Sequence, residues 1–483
     1  MTLRNIIPPG QEVYLVGGTV RDAYLHRPFH DIDLATPNDG RPLARQIADA
    51  LKGAYYPLDA ERGVGRVVIT QAERTLTIDV AQFRGPDLMT DLKRRDFTLN
   101  AVAVPLTRDL QTVIDPLDGL SDLQAKRLRQ CNPSSIADDP ARALRAVRLS
   151  HAFGLRIEPD TRTCLKKSAA RLASISVERV RDEFFQILDG PRPSGALTVL
   201  YHLDLLAQIV PEISTLSDTQ QGPPHQLDVW QHTLLAVECL DNILGVFASH
   251  RDDNLTANLQ AGLIAFSLGH LRDHLQAHLA YIWPNGRTHR ALLVLAALLH
   301  DIGKPQTRSI DDAGRVRFVD HERKGEQLAE ERARALRLSN DEIARLTTIV
   351  RHHMRPHWLN TAAKLTPRAV YRFWRDTNRA GVDICLLAMA DYLATYGVTL
   401  ETQNWTRYLS TIRTLLEGYF LHHESAIAPP PLVTGKELLA HFGLQSGPQV
   451  GELLEHIREA QIDGEITSHE EALNWVQRYL NNL

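Results

Sequence analysis

The 483-residue chain has a net charge of −4, with 43% hydrophobic and 23% charged residues, a balance that excludes a long disordered span and a globally basic nucleic-acid binder. A single core rarely keeps growing at this length, so roughly two to four compact units are expected. Cys131, Cys164, Cys239 and Cys385 are scattered without a Cys-x-x-Cys pair, and no apolar run is long enough to span a bilayer; a reduced, cytoplasmic protein without a membrane partner is therefore expected, its oligomeric state left open.

From residue 12 to about residue 104, β-rich runs at 13–16, 67–70, 76–80 and 101–104 alternate with helical spacing such as 42–52, the pattern of a mixed α/β head. Residues 14–16 read as a buried strand running into Gly17-Gly18, and residues 19–25 have helical spacing. Glycines at such a turn let backbone N–H groups come close to a triphosphate. Asp31 and Asp33 lie two apart on a strand, so both carboxylates share a face and can hold magnesium. Asp79, in the run 77–81, is the candidate third carboxylate on a neighbouring strand. Together the three could bind two metals, one activating the attacking hydroxyl and one supporting the leaving pyrophosphate.

Beyond residue 138 the pattern is helical almost throughout, broken by the polar and proline-rich stretches 217–225 and 428–431. These breaks divide the chain into 1–137, 138–221, 222–430 and 431–483. Basic runs at 93–95 and 126–129 and the arginines between Arg142 and Arg181 are candidate RNA contacts, although taken alone a solvated helix face explains each better. Asp139 and Arg142 lie three apart; on a helix they share a face, so the carboxylate can accept from an exocyclic amine while the guanidinium donates to a ring acceptor. An intrahelical ion pair is the bland alternative. Arg145 and Arg148 continue the spacing and can face triphosphate or RNA.

These motifs resemble the class II tRNA nucleotidyltransferases, the family of CCA-adding enzymes and bacterial poly(A) polymerases. Residues 94–101 look like its ribose-recognition motif, 115–123 like its head-to-neck hinge, and 138–142 like its base-selecting motif with Asp138 in place of Glu. Residues 176–183 look like its last neck motif, and 433–451 like its small C-terminal helical unit. The resemblance implies an α+β protein: a small polymerase-beta-like α/β head followed by all-α neck, HD and tail domains. It implies nucleotide binding by Gly17, Gly18, Arg21, Arg94, Asp96, Asn100, Asp139, Arg142, Arg145 and Arg148, with Asp31, Asp33 and Asp79 catalytic and Mg2+ on Asp31 and Asp33. The implied reaction adds cytidines and an adenosine to the tRNA 3′ end from CTP and ATP, with tRNA held by shape and backbone.

His232, His300-Asp301 and Asp391 follow the ligand order of HD-type phosphohydrolases, with His321, His352 and His353 available to a second ion. Imidazole and carboxylate suit Mg, Mn, Ni or Co, and such a site could cleave a phosphomonoester or a 2′,3′-cyclic phosphate. One departure bears on the product: only residues 80–93 separate Asp79 from Arg94, shorter than the flexible loop of most CCA-adding members. A CC-adding enzyme that leaves adenosine to a partner enzyme is therefore one alternative, and a poly(A) polymerase another. An HD hydrolase or an inactive RNA-binding protein are alternatives of a different class.

Overall fold

The computed structural model describes residues 3–28, 31–71, 74–106, 110–248, 258–362 and 365–481. The chain forms two compact units, Met1–Pro191 with Val199–Ile209, and Arg192–Thr198 with Val210–Leu483.

The first unit is built on a six-stranded sheet of order β3-β4-β5-β2-β1-β6. Its strands are β1 (Tyr14–Val16), β2 (Asp31–Thr36), β3 (Ala54–Asp59), β4 (Val64–Gln71), β5 (Arg74–Gln82) and β6 (Ala103–Pro105). Three helices accompany them: α1 (Gly18–Tyr24), α2 (Gly40–Leu51) and α3 (Leu88–Lys93). β2 and β5 run parallel, whereas the other neighbours are antiparallel.

Asp39 caps α2 by accepting from the Arg41 N–H at 3.0 Å, and Lys52 ends the helix in the left-handed region. The face carrying Leu43, Ala44, Ile47 and Ala48 is buried on Leu34, Val67, Ile78 and Val80. Side chains alternate along a strand, so packing these residues inward turns Asp31, Asp33 and Asp79 to the opposite face. A one-residue slip of β2 would drive its acids into the core. β3 is absent from the sequence reading because Pro57 and irregular alternation weaken its pattern; it lies at the sheet edge, where proline is tolerated.

After the head, the helices Ala141–Phe153 and Val177–Leu188 pack together through buried residues including Leu144, Val147, Phe184 and Leu188. The expected all-α body needs correction in two places. Arg127–Leu128 pairs with Arg156–Ile157, and Arg308–Ile310 forms a short hairpin with Val316–Phe318.

In the second unit the helix His289–Leu299 is buried along its length except for Arg290, and it packs with the helices Val229–Phe247 and Ala380–Tyr396. The stretch Ala380–Thr399 is apolar and long enough to cross a membrane, but 67% of its most apolar 18-residue window is buried inside the fold, as befits a core helix. The helices Gly435–Phe442, Pro448–Ile462 and His469–Asn481 share their own core around Leu438, Leu453 and Val476.

Candidate functional site

The parallel register of β2 and β5 places Asp33 directly beside Asp79, with Asp31 two residues back on the same face. Asp33 is half-buried, and its carboxyl is pushed up from the ordinary range by burial and by the charges of Asp79 and Asp31, against the pull of Arg95. The crowded charge that opposes ionisation of Asp33 is what a divalent cation would relieve. Gly17 faces the same spot with φ +68°, and a Cβ built there would lie 3.1 Å from Arg95 Nη1 and 3.3 Å from Asp33 Oδ2. The turn therefore keeps a space beside the carboxylates that any side chain would fill. The Gly17 N–H itself donates to the Val102 carbonyl at 3.3 Å.

Two further residues shape this face and do not stand out in the sequence. Thr19 Oγ1 accepts from the Asp33 N–H at 2.8 Å and contacts the Asp31 carbonyl at 3.3 Å, tying α1 to β2. Arg66, across from Asp79 in the antiparallel register, donates to both of its carboxylate oxygens at 2.8 Å.

A polar chain runs close to this face, with the Asn100 carbonyl 4.0 Å from the Cβ position of Gly17. Arg21 donates to Asn100 Oδ1 at 2.7 Å, and Asn100 donates to Asp96 Oδ1 at 3.1 Å. Asp96 Oδ2 then meets Arg145 at 3.3 Å, and Arg145 and Arg148 both donate to Glu183. Burial alone would raise the Asp96 pKa, but the charge of Arg145 and the hydrogen bonds from Asn100 and Phe97 hold it below the usual carboxylate range. The five expected nucleotide contacts in this chain are thus engaged with one another or with Glu183. Arg94 donates to the Arg84 carbonyl.

The geometry around Asp139 corrects the expectation of a shared helix face. Asp139 has extended backbone, with φ −145° and ψ 94°, because the following Pro140 disfavours the helical region for it; Arg142 lies in the helix Ala141–Phe153. Both Asp139 oxygens accept from Arg179 Nη2, at 3.0 and 2.8 Å, whereas Arg142 Nε is 3.9 Å away. Arg142 instead donates to Ser135 and to the Arg94 and Arg95 carbonyls. Asp139 remains ionised because Arg179 and Arg142 outweigh its partial burial.

Several residues of the basic runs have partners within the chain, although Lys93, Arg94, Lys126 and Arg127 remain exposed. Arg95 pairs with Asp91 at 3.0 Å, and Arg127 and Arg129 both pair with the fully buried Asp122 at 2.8 Å. The expected loop 80–93 is mostly structured: β5 continues to Gln82, α3 begins at Leu88, and residues 83–87 join them.

In the second unit His232, His300, Asp301 and Asp391 converge. His232 Nε2 is 2.9 Å from Asp391 Oδ1, and His300 Nε2 is 3.2 Å from Asp301 Oδ2. His321 and His353 approach the other oxygen of Asp301 at 3.5 and 3.8 Å. Nδ1 of His300, His321 and His353 meets the carbonyls of Ala297, Phe318 and Val350 at 2.8, 2.8 and 2.7 Å. These bonds place a proton on Nδ1 and turn Nε2 toward the cluster, the atom that would ligate a metal ion once any Nε2 proton is displaced. Nε2 of His300 is buried without a hydrogen-bond partner, and Nε2 of His321 and His353 face each other at 3.4 Å. Facing lone pairs and an orphaned nitrogen fit a divalent metal.

Burial would lower the His300 pKa, but Asp301 and Asp391 push it up to about 10; burial and the neighbouring His300 and His321 push His353 down to about 3. Lys304 lies 2.6 Å from Asp301, and the cluster borders a cavity of about 250 Å³ lined by His225, Lys304, Arg317 and Tyr392. His352 stands outside the convergent groups; one position from His353, it sits near Arg355 and Arg351.

A separate buried group, His278, His289 and Asp383, does not stand out in the sequence. Each imidazole Nε2 is 2.8 Å from Asp383 Oδ1, while Arg345 Nε holds Oδ2 at 2.6 Å. A guanidinium already neutralises this carboxylate, so the group is an ion-pair network joining the helices that carry it.

Comparison with known proteins gives matches along the chain. The Poly A polymerase head domain matches residues 13–129, the RNA and SrmB-binding site of polymerase A 154–216, the HD domain 263–396, and tRNA nucleotidyltransferase domain 2 423–476. The A-adding tRNA nucleotidyltransferase of Deinococcus radiodurans is 32% identical over 98% of this chain and 96% of its own length. The CC-adding tRNA nucleotidyltransferase of Thermus thermophilus is 31% identical over 96% of this chain and 92% of its own length. The solved Thermotoga maritima CCA-adding enzyme complexed with tRNA has the same fold, with a TM-score of 0.59 over 99% of this chain and 94% of that one at 21% identity.

Proposed function

The chain belongs to the tRNA nucleotidyltransferase family, and from that premise we propose that it extends the 3′ end of tRNA with cytidines and an adenosine drawn from CTP and ATP. The observation that carries this reading is the register pairing of Asp33 with Asp79, with Asp31 on the same face and Gly17 keeping space beside them. In the proposed reaction the tRNA 3′ oxygen attacks the α-phosphorus, forming the new phosphodiester bond as the bond to pyrophosphate breaks. Asp31 and Asp33 would hold magnesium, which supplies charge stabilisation at the α-phosphate and the leaving pyrophosphate. Asp79 accepts and orients the 3′ hydroxyl proton. Gly17, Gly18 and Arg21 border the triphosphate, and Arg94, Asp96 and Asn100 shape the ribose end.

Asp139, aimed by Arg179, accepts the exocyclic amine common to cytosine and adenine, and Arg142 sets the neighbouring donor. Arg145 and Arg148 hold that frame through Glu183. We assign the head to 1–137, the neck to 138–221, the HD domain to 222–430 and the tail to 431–483, and the compartment to the cytoplasm. The HD cluster serves as a second, hydrolytic centre for phosphate esters, with His232, His300, Asp301 and Asp391 holding Mg, Mn, Ni or Co and His321 and His353 open to a second ion.

A second reading, addition that stops after two cytidines, is favoured by the short crossing at residues 83–87. Incubation with tRNA ending before CCA, using CTP, ATP or both, separates the readings by product length. Growth by two cytidines and one adenosine supports the first, arrest after two cytidines with both nucleotides present supports the second, and long A tails point to a poly(A) polymerase. No incorporation on this tRNA, nor of ATP on tRNA already ending in CC, overturns nucleotidyl transfer.

A further inference from the structure

Four strands bring one row of side chains across the open face of the head sheet. Tyr56 on β3 lies opposite Arg66 on β4, Arg66 opposite Asp79 on β5, and Asp79 beside Asp33 on β2. The row therefore reads aromatic, cation, anion, anion. Arg66 grips Asp79 with Nε on one oxygen and Nη2 on the other, both at 2.8 Å, a bidentate geometry that fixes the carboxylate plane. Arg66 and Asp79 have side-chain exposures of 39% and 25%, so solvent does not fully screen the pair. Asp31 and Asp33 have no such partner: among the described residues neither forms a salt bridge.

The three acids are thus unequal. Asp31 and Asp33 present oxygens to an incoming cation, whereas Asp79 already has a resident counter-ion on the flank away from them. Building on the nucleotidyl-transfer reading above, we propose that Arg66 is a positioning residue that holds Asp79 as the orienter of the 3′ hydroxyl and keeps it from acting as a metal ligand, leaving Asp31 and Asp33 as the direct ligands. Its fixed positive charge, one strand beyond Asp79, also weakens cation binding. Strands are about 4.8 Å apart and the guanidinium reaches toward Asp79, so it would lie within roughly 6–8 Å of a cation held by Asp31 and Asp33.

The inference is tested by Mn2+ binding, followed by electron paramagnetic resonance on the full chain, alongside single-turnover CTP incorporation. Removing one charge at that distance is expected to tighten Mn2+ binding about tenfold in Arg66→Ala. Asp79→Asn alone loses a charge at a similar distance and should weaken Mn2+ binding about tenfold, well short of the loss in Asp33→Asn, which removes a ligand; in the Arg66→Ala background it should cancel the gain. Arg66→Ala should lower kcat with little change in the KM for CTP, and Arg66→Lys should restore part of kcat. Thermal melts confirm that each variant is folded, and Arg66→Lys retains a cation if Arg66→Ala does not fold. If Asp79→Asn weakens Mn2+ binding as strongly as Asp33→Asn in the presence of Arg66, or if Arg66→Ala binds Mn2+ no more tightly, the inference is overturned. Loss of the nucleotidyl-transfer reading has a different signature: Asp33→Asn would leave both Mn2+ binding and incorporation unchanged.

Discussion

Gly17→Ala probes the carboxylate face through its most constrained backbone. The residue has φ +68° and ψ −134°, a conformation reserved for glycine, so a side chain there costs on the order of 1–3 kcal/mol in strain. The new Cβ would also press on Arg95 Nη1 at 3.1 Å and Asp33 Oδ2 at 3.3 Å. Arg95 is anchored to Asp91 at 3.0 Å, so the displacement of a few tenths of an ångström passes largely to Asp33. Misplacing a reacting group by about 1 Å can cost about a hundredfold in rate, and this smaller shift is expected to lower single-turnover CTP incorporation roughly tenfold. Gly262→Ala is the internal control. Gly262 has no positive φ, and its added Cβ would meet nothing within 4 Å, so a change within about threefold is expected. Equal rates for Gly17→Ala and wild type, in protein folded by its melting curve, would refute the proposed cradle.

Three further outcomes follow from the same geometry. Asp33→Asn removes a carboxyl whose pKa burial and its acidic neighbours raise; in metal-free buffer at neutral pH it should melt about 2–4 °C higher than wild type while losing incorporation, and a lower melting temperature would contradict the repulsion. Asp383→Ala leaves the largely enclosed Arg345 without its carboxylate, so a loss of about 3 kcal/mol in denaturant unfolding of the second unit is expected. Burial opposes Asp383 ionisation but Arg345 outweighs it, so the folded pKa is depressed; its stabilisation is present above the ordinary aspartate pKa and fades as pH falls through that range toward the folded value, a limb the variant should lack. Metal analysis should find the HD ion lost in His300→Ala and retained in His352→Ala; equal loss in both would move His352 into the cluster.

Much of the head could be read from residues because its signals are local. A two-residue spacing on β2 put Asp31 and Asp33 on one face, and the β-rich run around Asp79 supplied the neighbouring strand. Arg66 and Thr19 act through register and through a helix-to-strand contact, neither of which leaves a local pattern. Asp139 was legible in principle: the proline after it excludes the helix that its spacing to Arg142 suggested. His352 and His353 look equivalent in sequence, yet one step along a helix turns a side chain by about 100°, and His353 reaches Asp301. His278, His289 and Asp383 come from three separate helices and meet only through packing.

Transfer of a single labelled cytidine to tRNA ending before CCA, by wild type and by Asp33→Asn matched for folding, tests nucleotidyl transfer at the β2–β5 face most directly. The account expects rapid, divalent-metal-dependent labelling by wild type and a loss of at least about a thousandfold in the variant. Labelling that survives in Asp33→Asn, or that never occurs in wild type, would contradict it.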